Sequence, residues 1–316
     1  MTQADLVLVL LWLAFAWSMG AHYTGACMGM PYASGSIRLR PALLTIAAFT
    51  LAGAAFLSHR VLVHVGHGLL RGATLGTLPA ILILAAAFLL TTLFTQRRIP
   101  TSTIQILVFC LAGVAQALGL AVRWTAIGHL ALVWVAAPVI ACGLGFAFTR
   151  LFDRIPAMAT AEATGAIGTA LVAVGAAASL TMGANDVSNA TSVFLSTGFS
   201  GPLAAGAIGG VGLAAGVLTW GRPLLERVAF DVVRMDRRMA TAAQLVQALV
   251  VLTAVGFGDF TSMNQALIGA MAGAGLARGR ETVQTPVLRG ILRGWVIGPG
   301  AGFALGYAFG LGLRLW

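Results

Sequence analysis

The chain has 316 residues, of which 59% are hydrophobic and 9% charged, against roughly 25% charged residues in a soluble domain. That balance excludes a soluble globular protein and makes the lipid bilayer the solvent of most of the chain. The net charge of +10 is carried by arginine with no lysine, and no arginine cluster alternates with stacking aromatics, so nucleic acid is not an expected partner.

Apolar runs long enough for a hydrocarbon core of about 30 Å occur at about 5–19, 41–58, 74–95, 101–121, 126–149, 158–182, 202–220, 239–257, 262–278 and 294–313. The expected fold is therefore all-α, a polytopic membrane protein of about ten spans, with re-entrant helical hairpins able to replace some of them. The first run starts at Leu6 without a basic leader and reads as a retained span. Threading the chain with both termini outside puts most arginines on the inner side, including Arg38, Arg97, Arg150, Arg234 and Arg278; Arg60, Arg71, Arg123 and Arg314 fall outside. That asymmetry satisfies the positive-inside rule, and the expected location is the plasma (inner) membrane of a prokaryote. Cys27, Cys110 and Cys142 stand singly without metal-ligand spacing, so neither zinc nor a disulfide is expected.

Three blocks of the first half recur in the second. MGAHYTGACMGMPYASG, from Met19, lies over MGANDVSNATSVFLSTG, from Met182, at an offset of 163; PTSTIQILVFCLAG, from Pro100, lies over FTSMNQALIGAMAG, from Phe260, at 160; WVAAPVIACGLGFAF, from Trp134, lies over WVIGPGAGFALGYAF, from Trp295, at 161. The chain thus divides into repeats over 1–154 and 155–316. Five spans per repeat is an odd number, so the second copy enters the bilayer upside down, the construction of many secondary transporters.

Polar residues interrupt the apolar pattern in two places. In GANDVSNATS, Asp186 with Asn185 and Asn189 offers hard oxygen ligands for a small cation such as Na⁺. A helix C-cap at an interfacial turn is the alternative. Ionised carboxylate at membrane depth costs at least ~2.5 kcal/mol, which calls for a cavity, a cation or a proton. In the first repeat His22 and Tyr23 replace Asn185 and Asp186; His22 can carry a proton or sit neutral against the backbone. The second place is Thr101, Ser102, Thr103 and Gln105, matched by Thr261, Ser262, Asn264 and Gln265. Each cluster opens an apolar helix, where free N–H groups and the positive end of the dipole favour an anion. Plain N-capping is the other use of such hydroxyls.

GANDVSNA followed by TSMNQALIGAMAGAGLARG resembles the inorganic phosphate transporter family, which carries a GAND signature and a hydroxyl motif in each inverted repeat. GRPLLERV, from Gly221, is similar to its Gly-x-x-x-x-Glu element. The first-repeat stretch GAHYTGACMGMPYASGSI resembles the sulfate permease branch of that family. The resemblance implies symport of phosphate, or of sulfate or another tetrahedral oxyanion, with protons or sodium as coupling ion and no further cofactor. It implies cation coordination by Asp186, Asn185 and Asn189, anion binding by the two hydroxyl clusters, and a homodimer; His22 and Tyr23, in the equivalent place of the first repeat, are further candidates for coupling. Two departures stand out: the first repeat lacks the Asn-Asp pair, favouring proton coupling or a single sodium ion, and Met263 replaces a hydroxyl residue. An intramembrane enzyme using Asp186 and His22 is the competing class, and no HExxH or other catalytic motif supports it.

Overall fold

The computed structural model describes residues 2–58, 69–70, 75–155, 161–195, 202–257, 259 and 261–315, and their side chains except at 161–164, 188–190, 192–195, 202–203 and 255. Eleven α-helices are described: α1 (Gln3–Ala33), α2 (Leu39–Phe56), α3 (Thr77–Gln96), α4 (Thr103–Ala117), α5 (Trp124–Asp153), α6 (Ala161–Leu195), α7 (Pro202–Trp220), α8 (Arg222–Phe230), α9 (Arg237–Gly256), α10 (Met263–Arg278) and α11 (Thr285–Arg314). By length and hydropathy six of these qualify as spans, or seven when α7 and α8, bent by 69°, are taken as one.

The expected ten spans are altered in two ways. The runs at 5–19 and 158–182 continue as helix through the polar blocks, giving α1 its 31 residues and α6 its 35. Nothing in either block breaks a helix before Pro31, and buried polar side chains there find partners inside the protein rather than in lipid. The runs at 101–121 and 262–278 shrink to 15 and 16 residues in α4 and α10. At 1.5 Å per residue these reach only about 24 Å, and each begins at a buried serine rather than at a surface.

Packing follows the sequence repeat. Helix α1 packs on α7, as α6 packs on α2; α4 packs on α11, as α10 packs on α5; α3 contacts α1 and α4, as α9 contacts α6 and α10. Small residues set these approaches, as in other membrane bundles. A Cβ at Gly20 would overlap the Leu213 carbonyl and one at Gly216 the Trp17 carbonyl, across α1 and α7; Gly53 and Gly183 meet the Leu180 and Thr50 carbonyls in the same way across α2 and α6. Large apolar side chains are exposed on the bundle, Leu132, Val135, Val139 and Val296 among them, as contact with lipid requires.

Candidate functional site

The four polar elements named from the sequence come together in one buried cluster. His22, Tyr23, Asn185, Asp186, Thr103 and Ser262 are fully inaccessible, and Thr101, Ser102, Gln105, Thr261, Asn264 and Gln265 are no more than 5% exposed. Asn189 lies on α6, but its side chain is outside the described residues.

Two helix starts form the centre. Ser102 is the N-cap of α4 and accepts from the Gln105 N–H at 3.4 Å; Ser262 is the N-cap of α10 and accepts from the Gln265 N–H at the same distance. The serines thus do cap their helices, and both first turns lie at a point of positive dipole potential. The two starts face each other. Gln105 Nε2 donates to Gln265 Oε1 at 3.0 Å and Gln265 Nε2 donates to Gln105 Oε1 at 3.2 Å, a reciprocal amide pair between residues 160 apart. Asn264 Nδ2 crosses in the same sense to donate to the Thr101 carbonyl at 3.0 Å.

Around this centre sit the motif residues of α1 and α6. The His22 ring is held at both nitrogens. Its Nε2 receives the Thr101 N–H at 3.0 Å and lies 3.2 Å from the Thr101 hydroxyl; its Nδ1 lies 2.8 Å from Thr95 Oγ1, whose own hydrogen goes to the Thr91 carbonyl at 2.8 Å. A backbone N–H can only donate, and a hydroxyl that has spent its hydrogen can only accept. The ring is therefore neutral, with its hydrogen on Nδ1 and a lone pair on Nε2. A 3.3 Å approach of Nε2 to the Thr101 carbonyl would need the opposite tautomer, which would leave the Thr101 N–H unpaired, so we assign the first arrangement. Tyr23 OH lies 2.9 Å from Thr103 Oγ1 and receives the Thr103 N–H at 3.3 Å, with the Ser262 hydroxyl facing it.

On the opposite side Asn185 Nδ2 donates to Asp186 Oδ1 at 3.1 Å and to the Thr261 carbonyl at 3.4 Å. Asp186 lies within α6, not at its end, so it caps no helix. The Thr261 hydroxyl is buried without a hydrogen-bond partner. Among the described residues, the buried polar and charged side chains include Asp186 and no arginine. An oxyanion here would meet helix N-termini, hydroxyls and amides, and it would lie beside a carboxylate. Two negative groups in one buried cluster repel strongly, and a cation or proton at Asp186 removes that repulsion.

Several supporting residues carry no signal in the sequence. Thr95 and Thr91 are ordinary hydroxyls inside an apolar helix, and Gln244, buried on α9, donates to the Ala26 carbonyl at 2.8 Å and to Gln247 Oε1 at 2.9 Å. Trp295 Nε1 donates to the Pro100 carbonyl at 3.1 Å and holds the segment before Thr101; its recurrence at Trp134 is the clue that could have found it. Arg97 and Arg98 are exposed, Arg98 with φ 53° where the chain turns out of α3. Asp259 pairs with His129 at 3.1 Å, both side chains being partly exposed.

Comparison with known proteins bears on this arrangement. The chain is 26% identical over 286 residues to the sulfate permease CysP of Bacillus subtilis, an alignment covering 88% of this chain and 79% of that one. Its fold is similar to that of a solved sodium-dependent phosphate transporter, with a TM-score of 0.87 at 20% identity, covering 99% of this chain and 100% of the other. Residues 19–306 match the Phosphate transporter family, and the chain belongs to that family of membrane transporters rather than to a class of enzymes.

Proposed function

We propose that the protein is a secondary transporter that carries inorganic phosphate across the membrane together with sodium ions or protons. The observation that carries this reading is the meeting of two matched, serine-capped helix starts at the Gln105–Gln265 pair, with Asp186 beside them. Thr101, Ser102, Thr103, Gln105, Thr261, Ser262, Asn264 and Gln265 surround the anion. Asp186, Asn185 and Asn189 hold the cation, with His22 and Tyr23 in the equivalent place of the other repeat. The paired helix contacts support inverted repeats over 1–154 and 155–316 that rock about the site. The arginine distribution supports outer termini, in what we take to be a prokaryotic plasma membrane, and the sodium dependence of the solved phosphate transporter that shares this fold supports sodium as the coupling ion.

Sulfate is the second reading. Monohydrogen phosphate brings a P–OH that needs an acceptor, whereas sulfate brings none, and Tyr23 stands where the other repeat has a carboxylate. The named activity of the Bacillus relative points the same way. Uptake of labelled phosphate and labelled sulfate into proteoliposomes, under sodium and pH gradients imposed separately, tests both. Phosphate uptake driven by one cation and blocked weakly by sulfate supports the first reading, the reverse preference supports the second, and no uptake of either anion refutes transport.

A further inference from the structure

The two helix starts are not held in the same way. Thr101 offers an N–H, a hydroxyl and a carbonyl, and all three are engaged by protein: the first two at His22 Nε2, at 3.0 and 3.2 Å, and the carbonyl by Asn264 Nδ2 at 3.0 Å. At the matching Thr261 the hydroxyl is buried without a hydrogen-bond partner, and the carbonyl receives Asn185 at a longer 3.4 Å. The cause is in the sequence. Asn264 has Ile104 as its counterpart, so nothing of that kind reaches back to the Thr261 carbonyl, and Asn185–Asp186 has His22–Tyr23 as its counterpart.

Resting on the transport reading above, we propose that His22 and Asn264 take the place of a cation at the first helix start, so that one transport cycle takes up a single cation, held at the second start by Thr261 and Asp186. A cation entering beside Thr101 would have to break these hydrogen bonds. Among the described residues that hydrogen-bond to Thr101 and Thr103, it would find a neutral imidazole whose lone pair is committed and a phenol. Beside Thr261 it finds a carboxylate and two threonine oxygens, hard ligands of the kind a small cation takes. The first start is held by protein groups, and the Thr261 hydroxyl of the second is left for the cation.

The test is a thermodynamic one. In proteoliposomes held at zero voltage with valinomycin and equal potassium, a tenfold gradient of the driving cation is imposed and the steady accumulation of labelled phosphate, or of sulfate if that is the anion carried, is read. One cation per anion gives about tenfold accumulation of the carried ionic form, its protonation on each side being allowed for when the cation is a proton, and a hyperbolic cation activation curve; two give about a hundredfold and a sigmoidal curve. The first pair of results is expected, and the second overturns the inference while leaving transport intact. Absence of accumulation of either anion under either gradient refutes the transport reading, and this inference with it. The triple variant His22→Asn, Tyr23→Asp, Asn264→Ile copies the second start onto the first and is expected to move accumulation towards the hundredfold value. A well-folded variant that keeps tenfold accumulation counts against the inference, and if the variant does not fold the wild-type ratio decides alone.

Discussion

The reciprocal amide pair between Gln105 and Gln265 makes a sharp energetic prediction. Both side chains are at most 5% exposed, and each donates to and accepts from the other. Replacing Gln105 by leucine leaves the Gln265 amide buried with its oxygen and its nitrogen both short of a partner. Each unsatisfied polar group costs about 1–3 kcal/mol, so the single variant is expected to lose roughly 2–5 kcal/mol in all, and Gln265→Leu to lose a similar amount. The double variant removes both ends at once and leaves apolar groups facing each other, so its loss is expected to be smaller than the sum by at least ~2 kcal/mol. Unfolding of the four proteins by SDS titration in mixed micelles closes the cycle. Additive losses would refute the argument, because they would mean the two amides do not satisfy each other. Anion uptake separates stability from function: all three variants are expected to transport poorly, the best-folded double variant included.

Three further outcomes follow from the geometry. Asp186→Asn removes a charge whose attraction for a cation about 4 Å away is worth ~4 kcal/mol at an effective dielectric of about 20, so uptake at subsaturating cation is expected to fall at least about 100-fold while the protein stays folded by gel filtration. Gly183→Ala and Gly20→Ala each place a Cβ against backbone that has no side chain to yield and are expected to cost about 1–3 kcal/mol in thermal unfolding, whereas Gly143→Ala, which meets nothing within 4 Å, is expected to change stability by less than about 1 kcal/mol. Arg278→Ala breaks contacts of 2.6 Å to Asp153 and 2.9 Å to Asp236; since all three side chains are a quarter or more exposed, the loss is expected to stay within about 1 kcal/mol and to shrink further in high salt.

Hydropathy located nearly every helix, and the repeat in Gly, Ser, Thr, Gln and Trp marked the residues that meet at the centre. It did not set helix lengths. The polar stretch from Gly20 to Ala33 looks like the end of a span on composition, yet it stays helical because α7, α8 and α9 cover it and its polar groups are satisfied within the protein. Conversely the run after Pro100 remains apolar to Val122, while the helix stops at Ala117, where Gly119 adopts φ 72° and Leu120 N–H returns to the Ala115 carbonyl. Tertiary partners were the least legible part. Nothing local marks Thr95 as the acceptor that fixes the His22 tautomer, since 73 residues separate them, and the asymmetry between Asn264 and Ile104 acquires meaning only once Thr101 and Thr261 are seen side by side.

The exchanged packing also has a bearing on biosynthesis. Helix α4 rests on α11, and its Gln105 is matched by Gln265, 160 residues later. At ribosomal rates of about 5–20 residues per second that interval is on the order of ten seconds or more. Throughout it the nascent chain carries a glutamine and a threonine-rich helix start whose partners have not yet been made. The insertion machinery, or water at the membrane surface, must accommodate them until α10 and α11 arrive. Completing the site is therefore a late event in the assembly of this protein, and a chain that terminates before α10 leaves the first helix start without its cover.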